Sequence, residues 1–284
     1  MRVFVGGATG YIGAAVAKAL KARGHEVLGS ARNEEAAKKL TAAGHTPVTA
    51  DLADAASFGK AAKEADAIIQ TASTSGPDSP DVEPKAARAI LEAIAGTEKR
   101  FILTSGVWVY GKTDSATEET KTNAIPLVGW RGASEDEVMK AGGIVVRPGI
   151  VHGHGGGIAA MFVGSAKQQK KVNVPGDGTN RWCPIHVDDL GELYAVVLEK
   201  GQKGAIYNGT SDEIITLGDV GKAIAKRHGA EYGTWPLAEA QKAMGGFADA
   251  LALDQVVKSP KSRALGWAPK GITLAADLAT GSYG

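Results

Sequence analysis

Short apolar, β-branched runs alternate with amphipathic stretches through the first half of the chain. The runs at 2–5, 26–30, 46–50, 66–71, 100–104 and 143–147 predict strands. Helical spacing predicts helices near 11–23, 33–42, 54–64, 83–95 and 133–141. In the first of these, Ile12, Val16, Ala19 and Leu20 fall on one face, and Gly24 stands where a helix should stop. Asp54 occupies the expected N-cap of the third. Regular alternation of this kind predicts βαβ units. The fold class is therefore α/β, a Rossmann-type parallel sheet flanked by helices.

The pattern changes after residue 150. Residues 153–157 read Gly-His-Gly-Gly-Gly, a loop. A helix over 158–170, a strand at 172–174, a turn at 175–180 and a strand–helix unit over 182–199 follow, with helices at 216–228, 236–250 and 272–280. This predicts a main unit over 1–152 and a smaller C-terminal substrate lobe over 153–284, with some segments returning to the sheet.

Composition narrows the function classes. Lysine and arginine total 32 against 31 acids and form no basic block, so a nucleic-acid partner is not expected. No apolar run is long enough to span a membrane. The N-terminus lacks the order of a signal peptide, and Cys183 is the only cysteine, so a cytoplasmic location is expected. A single cysteine excludes an intrachain disulfide. No close ligand spacing on one helix points to a metal.

The sharpest motif opens the chain. Gly7, Gly10 and Gly13 lie between the first strand and the first helix, within Gly-Ala-Thr-Gly-Tyr-Ile-Gly. Gly7 permits the tight turn, Gly10 lets the backbone approach a pyrophosphate, and Gly13 lets helix and strand pack closely. The amides of Thr9, Gly10, Tyr11, Ile12 and Gly13 would then face the phosphates of a dinucleotide. After the second strand, where an acid would bind the ribose of NAD, residues 29–33 carry no acid but do carry Arg32. A guanidinium there suits the 2′-phosphate of NADP(H), unless Arg32 is only a solvated surface residue. Asp51, followed by Leu52, either meets the adenine amino group or caps a turn. The small residues Thr71, Ala72 and Ser73 let the cofactor come close at the fourth strand's end.

Further landmarks carry a resemblance. They are Asp51-Leu52, the stretch Thr104-Ser105-Gly106-Val107-Trp108-Val109-Tyr110-Gly111, Arg147-Pro148-Gly149-Ile150-Val151-His152-Gly153, and Pro184-Ile185-His186-Val187-Asp188-Asp189-Leu190. With the glycine motif they resemble, over nearly the whole chain, the extended and atypical short-chain dehydrogenase/reductases of the NAD-dependent epimerase/dehydratase-like group. The resemblance implies that Thr104 and Pro148, Gly149, Ile150 and Val151 lie along the cofactor. It places the substrate between the nicotinamide and the C-terminal lobe. It also allows a homodimer through the helices near 83–95 and 133–141.

The catalytic set departs from that family. Trp130 stands where its tyrosine would be and Ser134 where its lysine would be, and no Tyr-x-x-x-Lys occurs in the chain. An indole cannot act as an acid or base at neutral pH. Four residues become candidates for the chemistry. Tyr110 is either a proton donor or a packed aromatic. Ser105 either bonds a substrate carbonyl or touches the cofactor. Trp130 either stacks on substrate or walls the cleft. Ser134 is either catalytic or the N-cap of a helix whose first turn holds Glu135, Asp136 and Glu137. His152 and His154 flank the glycine loop as further proton-transfer candidates, while His186 belongs to a segment with a structural look. Trp182 occupies the place of an arginine that clamps sugar diphosphates, with Arg181 shifted by one. Trp108, His152, Phe162 and Trp182 are expected to line an apolar pocket.

Three readings follow. The first is an NADP(H)-dependent oxidoreductase that reduces a small apolar carbonyl, imine or conjugated alkene. The second is a sugar-nucleotide epimerase or dehydratase. The third is a non-catalytic NADP(H)-binding redox sensor.

Overall fold

The computed structural model describes residues 1–74 and 76–284. Its frame is a seven-stranded, wholly parallel sheet. The first five strands are β1 (Arg2–Gly6), β2 (Glu26–Ala31), β3 (Thr46–Thr49), β4 (Ala67–Gln70) and β5 (Arg100–Thr104). The order across the sheet is Ile206–Gly209, Ile144–Pro148, β5, β4, β1, β2, β3. Chain direction across the sheet reverses at β1, which pairs with β2 on one side and β4 on the other. Open α/β sheets bind ligands at this switch point, beyond the carboxyl ends of the strands.

Alternation along β1 explains the layers. Val3 and Val5 point into one core and Phe4 into the other, all three fully buried. The first core is closed by α1 (Tyr11–Ala22) and α2 (Glu34–Ala42), together with Leu193 and Val197 from the later helix Val187–Lys200. The second is closed by α3 (Ala55–Glu64), α4 (Ser79–Ile94) and α5 (Arg131–Lys140), through Phe58, Ile90 and Val138. On the outer surface of that second layer Arg88 of α4 reaches Glu137 of α5 at 2.9 Å.

The C-terminal half supplies a second, smaller core. Short strands pair there as Lys171–Pro175 with Glu231–Trp235 and Arg181–Trp182 with Ile215–Thr216. Helices Gly157–Gln169 and Leu217–His228 cover them around Phe162, Trp182, Val174 and Ile224. The two halves interleave. Thr113–Ala116 leaves the first half to pair with Gln255–Val257, and Ile150–His152 pairs with Pro184–His186. Among the described residues no helix is long and apolar enough to cross a membrane.

Several elements differ from the sequence expectation. The seventh strand, Ile206–Gly209, was not foreseen, because four residues ending in Asn208 and Gly209 carry no alternating signal. Helix α4 begins at Ser79 rather than near 83. Pro80 suits a first turn, and the interior Pro84 is tolerated because Ala86, Ala87, Ile90 and Ile94 bury the helix face. The helix expected over 236–250 is two helices, Leu237–Met244 and Gly246–Leu251, parted at Gly245 with φ +58°. Helix α5 begins at Arg131, so Ser134 is an interior residue and not its cap.

Candidate dinucleotide and substrate cleft

At the β1–α1 turn the backbone is laid bare. Gly7 has φ +80°, and a Cβ there would lie 2.7 Å from the Ala72 amide nitrogen. A Cβ on Gly13 would fall 2.0 Å from the Gly7 carbonyl, so only glycine lets α1 rest on the turn. A Cβ on Gly10 would meet only the Gly7 oxygen, at 3.2 Å, and would otherwise project outward. Gly10 is the N-cap and offers no side-chain cap to the first amides of α1. Uncapped amides at the positive end of a helix fit a pyrophosphate. This donor set therefore suits a dinucleotide.

The neighbouring strand ends complete this rim. Ser30, next to last in β2, accepts the Gly7 N–H on its hydroxyl at 2.8 Å. Thr71 donates its hydroxyl to the Gly6 carbonyl at 2.7 Å, tying β4 to β1. Arg32 is exposed and makes no hydrogen bond or ion pair with any described residue. Asp51 is exposed, and its carboxylate accepts the Ala53 N–H at 3.0 Å, which makes it a turn cap with free surface. Leu52 packs against the second core. Thr104 shares a 2.6 Å hydrogen bond with Tyr194, whose burial raises its phenol pKa beyond reach.

A cleft of about 360 Å³ opens beside the glycine turn. Its lining includes Tyr11, Ile12, Ser105, Pro148, Gly149 and Val151, together with the apolar Trp108, Val128, Ile158 and Phe247. Trp108 and Phe247 meet edge to face with centroids 6.1 Å apart. Tyr11 is held by donating to the Gly153 carbonyl at 2.7 Å. Behind the cleft lies a cavity of about 10 Å³, lined among others by Thr104, Trp130, Ser134 and Glu83. Ser105 and Arg131 line both spaces.

The structure brings together only part of the proposed catalytic and pocket set. Ser105 stands on the cleft, and its buried hydroxyl has no partner. Trp130 is half-buried and lines the smaller cavity with the buried Ser134. Tyr110 lies elsewhere. It is 2% exposed, bonds Asn208 at 2.8 Å and lies 4.7 Å beneath the Arg147 guanidinium. Burial raises its pKa, so it is a packed aromatic with a satisfied hydroxyl.

Three pocket assignments are corrected. Trp182 is a core residue whose indole donates to the Leu251 carbonyl at 3.0 Å. Phe162 packs in the same core. His152 is buried beside Asp277, with Nδ1 3.4 Å from the carboxylate, and burial lowers its pKa to about 4. Arg181 is engaged by Asp254 and Asp114 through Nε and Nη2, so two carboxylates already stand beside it.

His154, His186 and Asp188 bring metal-ligand atoms within 4.8 Å of one another, which the sequence did not foresee. His186 Nδ1 accepts the Asp188 N–H at 3.2 Å, however. A neutral ring in that arrangement carries its proton on Nε2 and has no lone pair there for an ion.

Sequence reasoning missed Arg131. It follows a tryptophan in the tyrosine place, and nothing in the local sequence separates it from a surface arginine. Its Nε is buried without an acceptor, and its guanidinium lies 5.0 Å over the Trp130 ring. Glu83 is 3.7 Å away, and its other carboxylate oxygen accepts the Ser73 hydroxyl at 2.6 Å.

Comparison with known proteins agrees with this geometry. Residues 7–173 match a family described as NAD(P)H-binding. An uncharacterised protein of Schizosaccharomyces pombe is 32% identical over all of both chains. A farnesyl-dihydroquinoline-oxide ketoreductase of Stigmatella aurantiaca is 24% identical over 86% of this chain and 78% of its own. Among solved structures, a human epimerase family protein with NADPH superimposes with TM-score 0.79 at 22% identity, covering 99% of each chain. A dTDP-glucose 4,6-dehydratase of Bacillus anthracis with NAD gives 0.82 at 20% identity, covering 100% of this chain and 95% of its own.

Proposed function

This chain belongs to an NAD(P)H-binding family, and on that premise we propose that it is an NADPH-dependent reductase of the short-chain dehydrogenase/reductase type, acting on small, apolar carbonyl, imine or conjugated-alkene compounds. The observation that carries the reading is the cleft itself. Apolar side chains from Trp108, Val128, Ile158 and Phe247 face the strand-end residues Pro148 and Gly149 across a space with few polar groups.

The amides of Tyr11 to Gly13 would hold the pyrophosphate, Asp51 the adenine and Arg32 the 2′-phosphate. Thr71, Ala72, Ser73 and Thr104 would border the ribose and Pro148 to Val151 the ring. When bound, the reduced nicotinamide supplies hydride. The chain's own contribution is to desolvate and orient. Trp108 and Phe247 exclude water from the reacting face, and the unpartnered Ser105 hydroxyl donates to the substrate oxygen or nitrogen. Among the described residues lining the cleft there is a phenol, Tyr11, but no lysine beside it to lower its pKa. Water reaching the cleft mouth takes that part, and an iminium substrate needs it least.

Arg181 argues against a sugar-nucleotide substrate, because Asp114 and Asp254 already pair with it and their carboxylates would repel a diphosphate. The test mixes protein, NADPH and a panel of ketones, imines and enones. Loss of reduced-nicotinamide absorbance with at least one class supports the reading, and no loss with any of them contradicts it.

A further inference from the structure

We propose that Arg131 anchors the substrate by its carbonyl oxygen, and that the compound accepted is neutral, with an apolar body and one such acceptor. This rests on the reductase reading for its context but not for its test. Arg131 is the first residue of α5, where a helix favours an anion and disfavours a cation. Its natural helical partner, Glu135, is one turn on, but both of that carboxylate's oxygens are taken by Arg147. Glu83 is beyond hydrogen-bond distance at 3.7 Å. Among the described residues the guanidinium therefore has no hydrogen-bond acceptor, although its Nε is buried.

A buried N–H without a partner is costly, and such a group in a cleft marks a place for a ligand atom. The Trp130 ring, 5.0 Å from the guanidinium carbon, helps hold the guanidinium at this place. The second unpartnered buried donor on both cavities is the Ser105 hydroxyl. Two unpartnered donors lining the same two spaces call for an acceptor oxygen with two lone pairs.

Charge decides which oxygen. Glu83 already balances the guanidinium, and its own side chain is 11% exposed. A carboxylate ligand would bring a second full anion beside Glu83, whereas a carbonyl takes the same N–H without that repulsion. A guanidinium is a hydrogen-bond donor only, so Arg131 holds the oxygen by its N–H groups.

The experiment measures binding without turnover. Protein saturated with NADP⁺ is titrated with benzamide, benzoate and ethylbenzene by calorimetry and ligand-detected NMR. Arg131→Met and Arg131→Lys are titrated in parallel, after their melting temperatures are shown to match the parent. Benzamide should bind more tightly than either other probe. Arg131→Met should weaken it by about tenfold or more, and Arg131→Lys should recover part of the loss. Glu83→Gln should selectively improve benzoate. Failure of benzamide to bind, equal binding by parent and Arg131→Met, or a preference for benzoate would each overturn the proposal. A protein that binds benzamide through Arg131 yet oxidises no NADPH would keep the anchor and lose the reductase. Turnover indifferent to Arg131→Met would do the reverse.

Discussion

Arg147 grips both carboxylate oxygens of Glu135, so Arg131, one helical turn before Glu135, is left facing the cleft without an acceptor. The pair joins the strand Ile144–Pro148 to α5 with side chains only 3% and 2% exposed. It fixes the height of α5 over the sheet, and with it the place of Trp130 and Arg131.

Removing one partner of such a pair leaves an uncompensated buried charge. Glu135→Ala should destabilise the protein by about 3–5 kcal/mol. Denaturant unfolding monitored by circular dichroism measures this. A loss under about 1 kcal/mol would mean that the pair does not hold the helix.

Acid should weaken the fold through His152. Its pKa is lowered to about 4 by burial, against an ordinary value near 6.5. The unfolded chain therefore binds the extra proton first. Stability present above pH about 6.5 is lost progressively as pH falls toward about 4, by up to about 3 kcal/mol. Asp277, held low by hydrogen bonds from Ser282 against the cost of burial, adds a loss only at lower pH. Melting temperatures across this range should fall for the parent and fall less for His152→Asn. Parallel curves would exclude His152 as the cause.

Much of the fold could be read in the sequence because β1, β4 and β5 each carry at least three consecutive apolar residues and alternate with helical stretches. The glycine turn was equally plain, since Gly7 and Gly13 meet backbone that no side chain could tolerate. The C-terminal half was harder. Its strands are two to five residues long and pair with partners far away in sequence, as Thr113–Ala116 does with Gln255–Val257. Aromatic residues misled for a related reason. Trp108 lines the cleft while Trp182 is sealed in the core, and hydrophobicity alone does not tell a wall from a filling. Arg131 stayed hidden because its significance lies in what its neighbours are bonded to.

Arg32 should set the cofactor preference. Arg32→Ala should weaken NADPH by about ten- to a hundredfold and leave NADH affinity nearly unchanged, since only the former offers a 2′-phosphate to the guanidinium. Fluorescence titration with both reduced cofactors measures the ratio. An equal loss for the two would assign Arg32 to something other than the phosphate.

The Ser105 hydroxyl should matter for turnover more than for binding. Ser105→Ala should lower kcat by roughly tenfold or more with whichever carbonyl substrate the panel reveals, while NADPH affinity holds. Steady-state kinetics at saturating cofactor measures it. An unchanged kcat would leave the hydroxyl without a part in the chemistry.

The most direct measurement is NADPH affinity after Gly10→Val. Gly10 has φ −81°, which any residue adopts, and a side chain there meets little protein, so the fold should survive with its melting temperature nearly intact. The new side chain would instead stand over the α1 amides where the pyrophosphate is to rest. Dissociation constants should rise at least tenfold for NADPH and NADH alike. Undiminished affinity in the folded variant would contradict a dinucleotide held at this turn.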